Sequence, residues 1–318
     1  MTKSTLKPRP PAALSLTQVK LPNPPGPFGT ARGIVARSIY GRIGAPARVM
    51  KGLREPLGDP GLFGPASMVW RVHAELPSML IGGISALMLQ TLHPLAMAGV
   101  ENHSDFREEP FARLANTSEF IALTSFGSRT GAAEAIGRVR QVHARVRGRA
   151  DDGRAYSASA PRLLTWVHVA LVRSFLASYQ RYSGSPLVPR ERDQYFDEYA
   201  LVAEMLGARE VPRSGREVAA YLEDMRPELT ATPAALAAID FLMKPPGQTA
   251  AERLLYPALA GACVDLLPGW ARRELQLRAQ PRVQVELVRR SAAAVGMLMR
   301  WGVGTPMSVR WATERMAG

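Results

Sequence analysis

Apolar residues recur every three or four positions in almost every long segment after residue 57, and this helical period constrains the fold more than any other feature. Alternating β-branched residues, which are typical of strands, are nearly absent. Ser159-Ala160-Pro161 and Thr232-Pro233 are helix start signals, and Thr130 followed by Glu134 is a third. We predict an all-α protein whose helices cover residues 67–74, 78–92, 109–125, 130–147, 160–182, 190–206, 214–225, 232–243, 250–264, 268–278 and 281–301.

Proline and charge divide the chain near residue 56. Residues 1–56 form a proline-rich, basic extension, and residues 1–60 carry ten basic and two acidic side chains, +8 of the net charge of +13. Within the extension, residues 31–54 have the pattern of a basic amphipathic helix, which either packs on the domain or contacts an anionic membrane surface. Because the charge is concentrated there, the pattern does not favour nucleic acid as a partner. We predict one all-α domain over residues 57–318.

Three features limit the function classes. The single cysteine, Cys263, excludes intramolecular disulfides and multi-cysteine metal sites. The most apolar stretch, residues 79–100, predicts a buried core helix ending near His93-Pro94 rather than a membrane span, because polar residues interrupt it. The N-terminus lacks the compact apolar segment of a secretory signal, so we expect a cytoplasmic protein with peripheral membrane contact through residues 31–54.

The five histidines all lie between residues 73 and 168, which indicates a site in this part of the chain. His143 is predicted to lie on the buried face of its helix, and His168 is flanked by apolar residues in the same way. A neutral imidazole in an apolar wall suits an axial haem ligand, and two inward histidines could instead form half of a non-haem iron site. The aliphatic residues that share the face of His143 are Ile136, Val139, Val142 and Val146.

Two further groups of polar residues lie in the same region. Pro94 breaks or kinks the helix at His93-Pro94, and a broken helix can direct polar groups into a cavity. The alternative is a plain helix end, with His103 and Asp105 capping the next element. Arg113 and Thr117 are four residues apart on one helical face. They could bind a propionate or a distal oxygen, or form an ordinary surface pair.

In their order and spacing, these motifs resemble the catalytic domain of MpaB-type oxygenases and rubber oxygenases (latex clearing proteins), over roughly residues 57–300. The resemblance implies an all-α fold with a haem pocket between helices, haem b held by a histidine, and dioxygen acting on a hydrophobic substrate. The motifs are Asp59–Pro65, Trp70–His73, Leu92-His93-Pro94 through Gly99-Val100, His103–Phe106, Arg113 to Thr117, Arg140 to Arg147 and Trp166-Val167-His168.

The resemblance also implies roles for individual residues. The proximal histidine of the family follows the distal motif within a basic helix, so His143 is the implied ligand to the haem iron. Arg113 and Thr117 are implied to lie near the haem, where Arg113 and Arg140 suit the propionates. His93 and His168 are implied to line the pocket, His93 as a catalytic residue and His168 as a cofactor-binding residue.

The rubber enzymes carry the motif Arg-x-x-Lys-Thr on the distal side, whereas this chain has Arg113-Leu114-Ala115-Asn116-Thr117. Asn116 replaces the distal lysine, so we expect a small or medium apolar substrate rather than polyisoprene. Two other functions fit the residues. One is a non-haem metal-dependent oxygenase or hydrolase that uses His93, His103 or His168 with Asp105. The other is a non-enzymatic membrane-surface protein that holds a lipid or haem.

Overall fold

The computed structural model describes residues 32–33, 47–103, 110–278 and 280–318, with the side chains of 110–114 and 251 left out. This part of the chain is all-α, as predicted, with one small hairpin. Its helices are α1 (Ala47–Arg54), α2 (Met68–His73), α3 (Leu76–Gln90), α4 (Pro94–His103), α5 (Pro110–Phe126), α6 (Arg129–Arg145), α7 (Pro161–Tyr182), α8 (Pro189–Leu206), α9 (Gly215–Met225), α10 (Pro233–Met243), α11 (Ala250–Leu266), α12 (Gly269–Glu274), α13 (Arg282–Val303) and α14 (Met307–Ala317). The hairpin pairs β1 (Arg147–Arg149) with β2 (Ala155–Ser157), and a 3₁₀ turn covers Arg226–Glu228.

Capping residues set the ends of these helices, since the first turn of a helix leaves backbone amides without partners. Thr232 caps α10 by accepting a hydrogen bond from the Ala235 amide, as its position before a proline predicted. At α6 the predicted start is wrong by two residues. Ser128, not Thr130, is the cap, and its hydroxyl oxygen accepts from the Gly131 amide at 3.1 Å.

The core centres on the pairing of α3 with α7. Helix α3 is apolar around most of its circumference because other helices surround it. At Gly82 its backbone approaches α7 so closely that a Cβ atom would lie 2.9 Å from the Cα of Phe175. This pairing places Trp166 and Phe175 of α7 in the main hydrophobic cluster.

The apolar stretch at residues 79–100 folds as two helices rather than one. Helix α3 ends at Gln90, and α4 starts at Pro94, where the missing amide proton of proline costs no helical hydrogen bond. Among the described residues, no single helix is long and apolar enough to cross a membrane. Helices α3 and α4 are long and apolar enough only when they are taken together, and the chain bends by 105° between them.

The sequence did not predict three elements: helix α4, the β1–β2 hairpin and helix α14. Helix α4 lies beyond the predicted helix end at His93-Pro94, the strands of the hairpin are too short for a period-two pattern, and α14 follows Pro306 near the C-terminus. Each depends on tertiary contacts. The hairpin packs on α4, and α14 packs on α1 and α5.

Helix α1 packs on the helical domain, although the sequence assigns it to the extension. Val49 and Leu53 are buried in a second hydrophobic cluster with Trp70 and Phe126. Of residues 31–54, the structure describes only 32–33 and 47–54, and membrane contact by this segment stays a prediction.

Candidate functional site

His143 lies in the last turn of α6, where the helix leaves the core. Helices α1, α5 and α8 pack on α6, whose buried residues all lie in its first half, whereas the residues of its last turns are exposed or half-buried. The predicted buried face is buried at Ile136, but it is not buried at the end of the helix where His143 lies. His143 is half-buried, and its neighbour Val142 is 59% exposed. The end of α6 thus presents an imidazole beside uncovered apolar surface.

The β1–β2 hairpin ties this end of α6 to α4. Tyr156 of β2 is buried, and its hydroxyl accepts a hydrogen bond from the Asn102 side-chain amide at 3.0 Å. The ring of exposed His103 lies edge-on to Tyr156, with 6.1 Å between centroids. A Cβ atom on Gly99 would contact Val146 and Tyr156 at 3.7–3.8 Å. The hairpin therefore brings the second half of α4 and the end of α6 to one end of the molecule.

Helix α5 carries the predicted pair Arg113 and Thr117 and packs on α6. The helical placement of both residues is confirmed, and Thr117 is half-buried. The side chain of Arg113 lies outside the described residues, as does the whole of Ser104-Asp105-Phe106. Asn116, where the rubber enzymes have lysine, is exposed.

Arginines surround the end of α6, and ion pairs occupy some of them. Glu119 of α5 accepts hydrogen bonds from both Arg48 and Arg138, which joins α1, α5 and α6. Arg140 is exposed, and its side chain forms no hydrogen bond or ion pair with the described part of the chain. Arg140 therefore remains a cation on the same helix as His143, three residues before it.

His93 lies at the start of α4 and is 2% exposed. Its Nε2 is 3.9 Å from a carboxylate oxygen of Glu228, too far for a hydrogen bond, and Glu228 is already paired with Arg162. Burial lowers the pKa of His93, and Glu228 opposes this only in part. The buried Nδ1 has no hydrogen-bond partner in the described region, and the ring lies 6.2 Å from that of Trp166. His93 is therefore a neutral, buried imidazole.

His168 lies in a buried group that we call the histidine–tyrosine cluster, at the junction of α2, α5, α7 and α8. His168 stacks on the ring of Tyr199 at 6.0 Å, and its buried Nε2 lacks a partner among the described residues. Burial lowers the pKa of His168 to about 3 and raises that of Tyr199 to about 12, so both are neutral at pH 7. The cluster comprises His73, Thr124, Ser125, His168, Tyr195 and Tyr199.

The sequence interpretation missed most of this cluster. Trp70-Arg71-Val72-His73 gave a weak signal, since one histidine in an apolar helix more often belongs to the core. Tyr195 and Tyr199 are four residues apart and share one face of α8, a spacing that could have pointed to them. In the structure their rings are nearly parallel, and His73 lies edge-on to both.

The structure separates the predicted site residues into three places. Arg140, His143 and Thr117 belong to the α5–α6 pair, His93 packs against Trp166, and His168 belongs to the histidine–tyrosine cluster. Within the described residues, no three His, Cys, Asp or Glu side chains come together in an arrangement that could hold a metal ion.

Comparison with known proteins identifies the family. The model of the family described as ER-bound oxygenase mpaB/B'/rubber oxygenase, catalytic domain, matches residues 70–297. This range includes all five histidines, the Arg113–Thr117 pair, Arg140 and the hairpin. No curated protein and no solved structure matches the chain.

Proposed function

The chain belongs to this oxygenase family, and from that premise we propose that it is a haem b-dependent oxygenase acting with dioxygen on a hydrophobic small molecule. The observation that carries the proposal is the exposed Val142 side chain next to half-buried His143 at the end of α6. A buried helix end would have no space for a cofactor, whereas exposed Val142 and half-buried His143 leave one side of α6 open. A large planar apolar group bound there would remove this surface from water.

The residues at this end of α6 fit a b-type haem in their chemistry. Imidazole nitrogen is a common ligand of haem iron, and His143 supplies it from the end of a rigid helix. Arg140 is a cation that no described acid neutralises, and it suits a propionate through a charge-assisted hydrogen bond. Arg113 enters the proposal as a second propionate partner because it lies on the adjoining helix α5.

When bound, ferrous haem would supply the binding and activation of dioxygen. The chain itself would hold and orient the reactants. Thr117 offers a hydroxyl from α5 that can donate a hydrogen bond to a developing negative charge. His93 is a neutral, buried imidazole that packs against Trp166 rather than on the α5–α6 pair, and its proposed catalytic role is to donate its one ring N–H, because burial opposes uptake of a second proton. The apolar surface around Val142 would exclude water and favour an apolar substrate.

His168 is the second ligand to consider, since its Nε2 is buried without a partner among the described residues. Its enclosure argues against it as the axial ligand. The ring of Tyr199 stacks on it, and only 8% of the residue is exposed. We therefore assign the iron to His143 and leave His168 in the histidine–tyrosine cluster, apart from the α5–α6 pair.

The test is the absorption spectrum of the purified full-length protein, before and after dithionite and carbon monoxide, with haem quantified as the pyridine complex. A Soret band is expected, and His143→Ala should lose most of the haem while keeping its helical circular dichroism. His103→Ala is the matched control, because His103 is exposed at the same end of the molecule. Full haem content in His143→Ala would overturn the ligand assignment, and loss in His168→Ala alone would transfer it to His168. Wild-type protein that takes up no haem on reconstitution would overturn the haem proposal itself.

A further inference from the structure

A second cleft, distinct from the site at His143, lies between α7, α8 and the start of α9. Its volume is about 440 Å³, within the range of pockets that hold small molecules. Its lining includes four apolar residues, Leu176, Ala177, Phe196 and Val218. The same three helices supply three arginines, Arg173, Arg192 and Arg216, and one acid, Asp193.

Arg173 is the most informative of these residues. The residue is half-buried, and burial lowers the pKa of its guanidinium to about 10, so the group is charged at pH 7 and only partly hydrated. Its hydrogen bond to a protein group runs from Nη1 to the Leu266 carbonyl at 2.7 Å, and a carbonyl carries no net charge. A partly desolvated cation without a counter-ion is unfavourable, so an anion in the cleft would stabilise this arrangement.

Arg192 and Arg216 add to the positive charge of the cleft. Their side chains form no ion pair or hydrogen bond with the described residues. The contrast with Arg213 nearby is clear, since Arg213 pairs with Asp197 and Glu204. Ion pairs therefore form close to the cleft, but Arg192 and Arg216 form none with the described residues.

The remaining polar groups of the cleft do not cancel this charge. The Asp193 carboxylate accepts a hydrogen bond from the Gly215 amide at 2.8 Å, which fixes it at the start of α9. The Gln180 amide is satisfied by Leu187, donating to its carbonyl at 2.9 Å and accepting from its amide. Three arginines against one aspartate leave a net charge of +2 on the lining.

From this arrangement we propose that the cleft binds an anionic amphiphile, a molecule with a phosphate or carboxylate head and an apolar chain. Arg173, Arg192 and Arg216 would bind the head, and the apolar lining residues, Leu176 and Phe196 among them, would contact the chain. Guanidinium groups recognise both oxyanions through charge-assisted hydrogen bonds, so the head is defined as an oxyanion. This inference is independent of the haem proposal, because none of the cleft residues lies on α4, α5 or α6.

Isothermal titration calorimetry on the full-length protein tests the proposal with four probes at monomeric concentrations: dodecyl phosphate, dodecanoate, dodecanol and inorganic phosphate. At least one of the two anionic amphiphiles should bind, and the comparison between them identifies the head. Dodecanol and inorganic phosphate should each bind at least about tenfold more weakly, since dodecanol lacks the anionic head and inorganic phosphate lacks the apolar chain. Dodecanol or inorganic phosphate binding as tightly as the amphiphiles, or no binding of either amphiphile, would overturn the proposal.

Variants locate the binding. Arg192→Gln and Arg216→Gln should each weaken the preferred amphiphile about three- to tenfold, and the loss should shrink at high salt. Arg190→Gln is the matched control, since Arg190 is an exposed arginine of α8 outside the cleft lining. If Arg192→Gln and Arg216→Gln bind the amphiphile as tightly as Arg190→Gln and the wild type do, the binding site lies elsewhere and the assignment is refuted. The haem spectrum should be the same in all three, which separates this test from that of the oxygenase site.

Discussion

The Nδ1 atom of His73 and the Oγ atom of Ser125 lie 2.6 Å apart in the centre of the molecule. The other ring nitrogen of His73 lies 2.9 Å from the Tyr195 hydroxyl, so both nitrogens are hydrogen-bonded without contact with water. Ser125 and Tyr195 come from α5 and α8. A single imidazole from α2 therefore joins three helices by polar contacts within an otherwise apolar core.

This burial predicts that stability falls in acid. The pKa of His73 and that of His168 are lowered to about 3 in the folded protein, against an ordinary value of 6.5. As pH falls below 6.5 the unfolded chain binds protons at these positions and the folded chain does not. The free energy of unfolding should therefore decrease between pH 6.5 and 3, by up to about 1.4 kcal/mol per pH unit for each histidine.

Urea unfolding at pH 7, 6 and 5 measures this slope. His168→Gln should remove one of the contributions from buried histidines, which also include those of His73 and His93, and give a shallower dependence than the wild type. His103→Gln should follow the wild type because His103 is exposed. A His168→Gln slope equal to that of the wild type would show that His168 is protonated in the folded protein.

Gly131→Ala should destabilise the protein by about 1–3 kcal/mol, because the new methyl group would meet backbone that cannot move aside. A Cβ atom on Gly131 would lie 2.8 Å from both the Cα and the carbonyl oxygen of Gly52, at the contact of α6 with α1. Gly137→Ala is the control on the same helix. Its Cβ would meet nothing within 4 Å, and alanine favours a helix by up to about 1 kcal/mol. Equal unfolding midpoints for the two variants would contradict the close contact.

Arg315→Lys should cost about 2–4 kcal/mol in the free energy of unfolding. The Arg315 side chain is 1% exposed, and it donates from Nη1 to the Leu53 carbonyl at 2.7 Å and from Nε to the Asp59 carbonyl at 2.8 Å. Lysine cannot reach both carbonyls from one nitrogen in this geometry. Arg310→Lys, an exposed position on the same helix, should change stability by less than about 0.5 kcal/mol. A small effect at position 315 would mean that water replaces both hydrogen bonds.

Asn116→Lys tests the distal side of the proposed haem site. Asn116 is exposed on α5, one residue before Thr117. If the position faces the haem, the lysine should shift the resting Soret band, because an amine near the iron alters its ligation. Asn102→Lys, on α4, is expected to leave the band in place. An unchanged spectrum in Asn116→Lys would place position 116 outside the pocket.

The same site predicts substrate preference. Wild-type protein, reduced and oxygenated, should convert short terpenoid or aromatic compounds and should not cleave polyisoprene latex, because the distal lysine of the rubber enzymes is asparagine here. Product analysis by mass spectrometry is the measurement. Oligo-isoprenoids with aldehyde and ketone ends, formed from latex at a rate above that of heat-treated protein, would refute this preference.

Helix positions were determined by the sequence because they depend on neighbours three or four residues apart. The apolar period and the proline in the first turn place a helix at 160–182, and the structure has it at Pro161–Tyr182. The same local rules place Thr232 at the start of α10. The sequence also predicted the protein family, because the motifs of the family are short and their order along the chain is visible in the sequence.

Tertiary structure alone decided which residues meet. Arg315 and Leu53 are 262 positions apart, and no local pattern marks the arginine as buried or the carbonyl as its partner. His143 shows the same dependence. Its helix face is aliphatic in sequence, but the residues of α6 that its neighbours bury lie in the first half of the helix, and Val142 beside His143 is exposed. Periodicity reports which side of a helix is apolar, whereas burial requires a second element at a distance that only the folded chain defines.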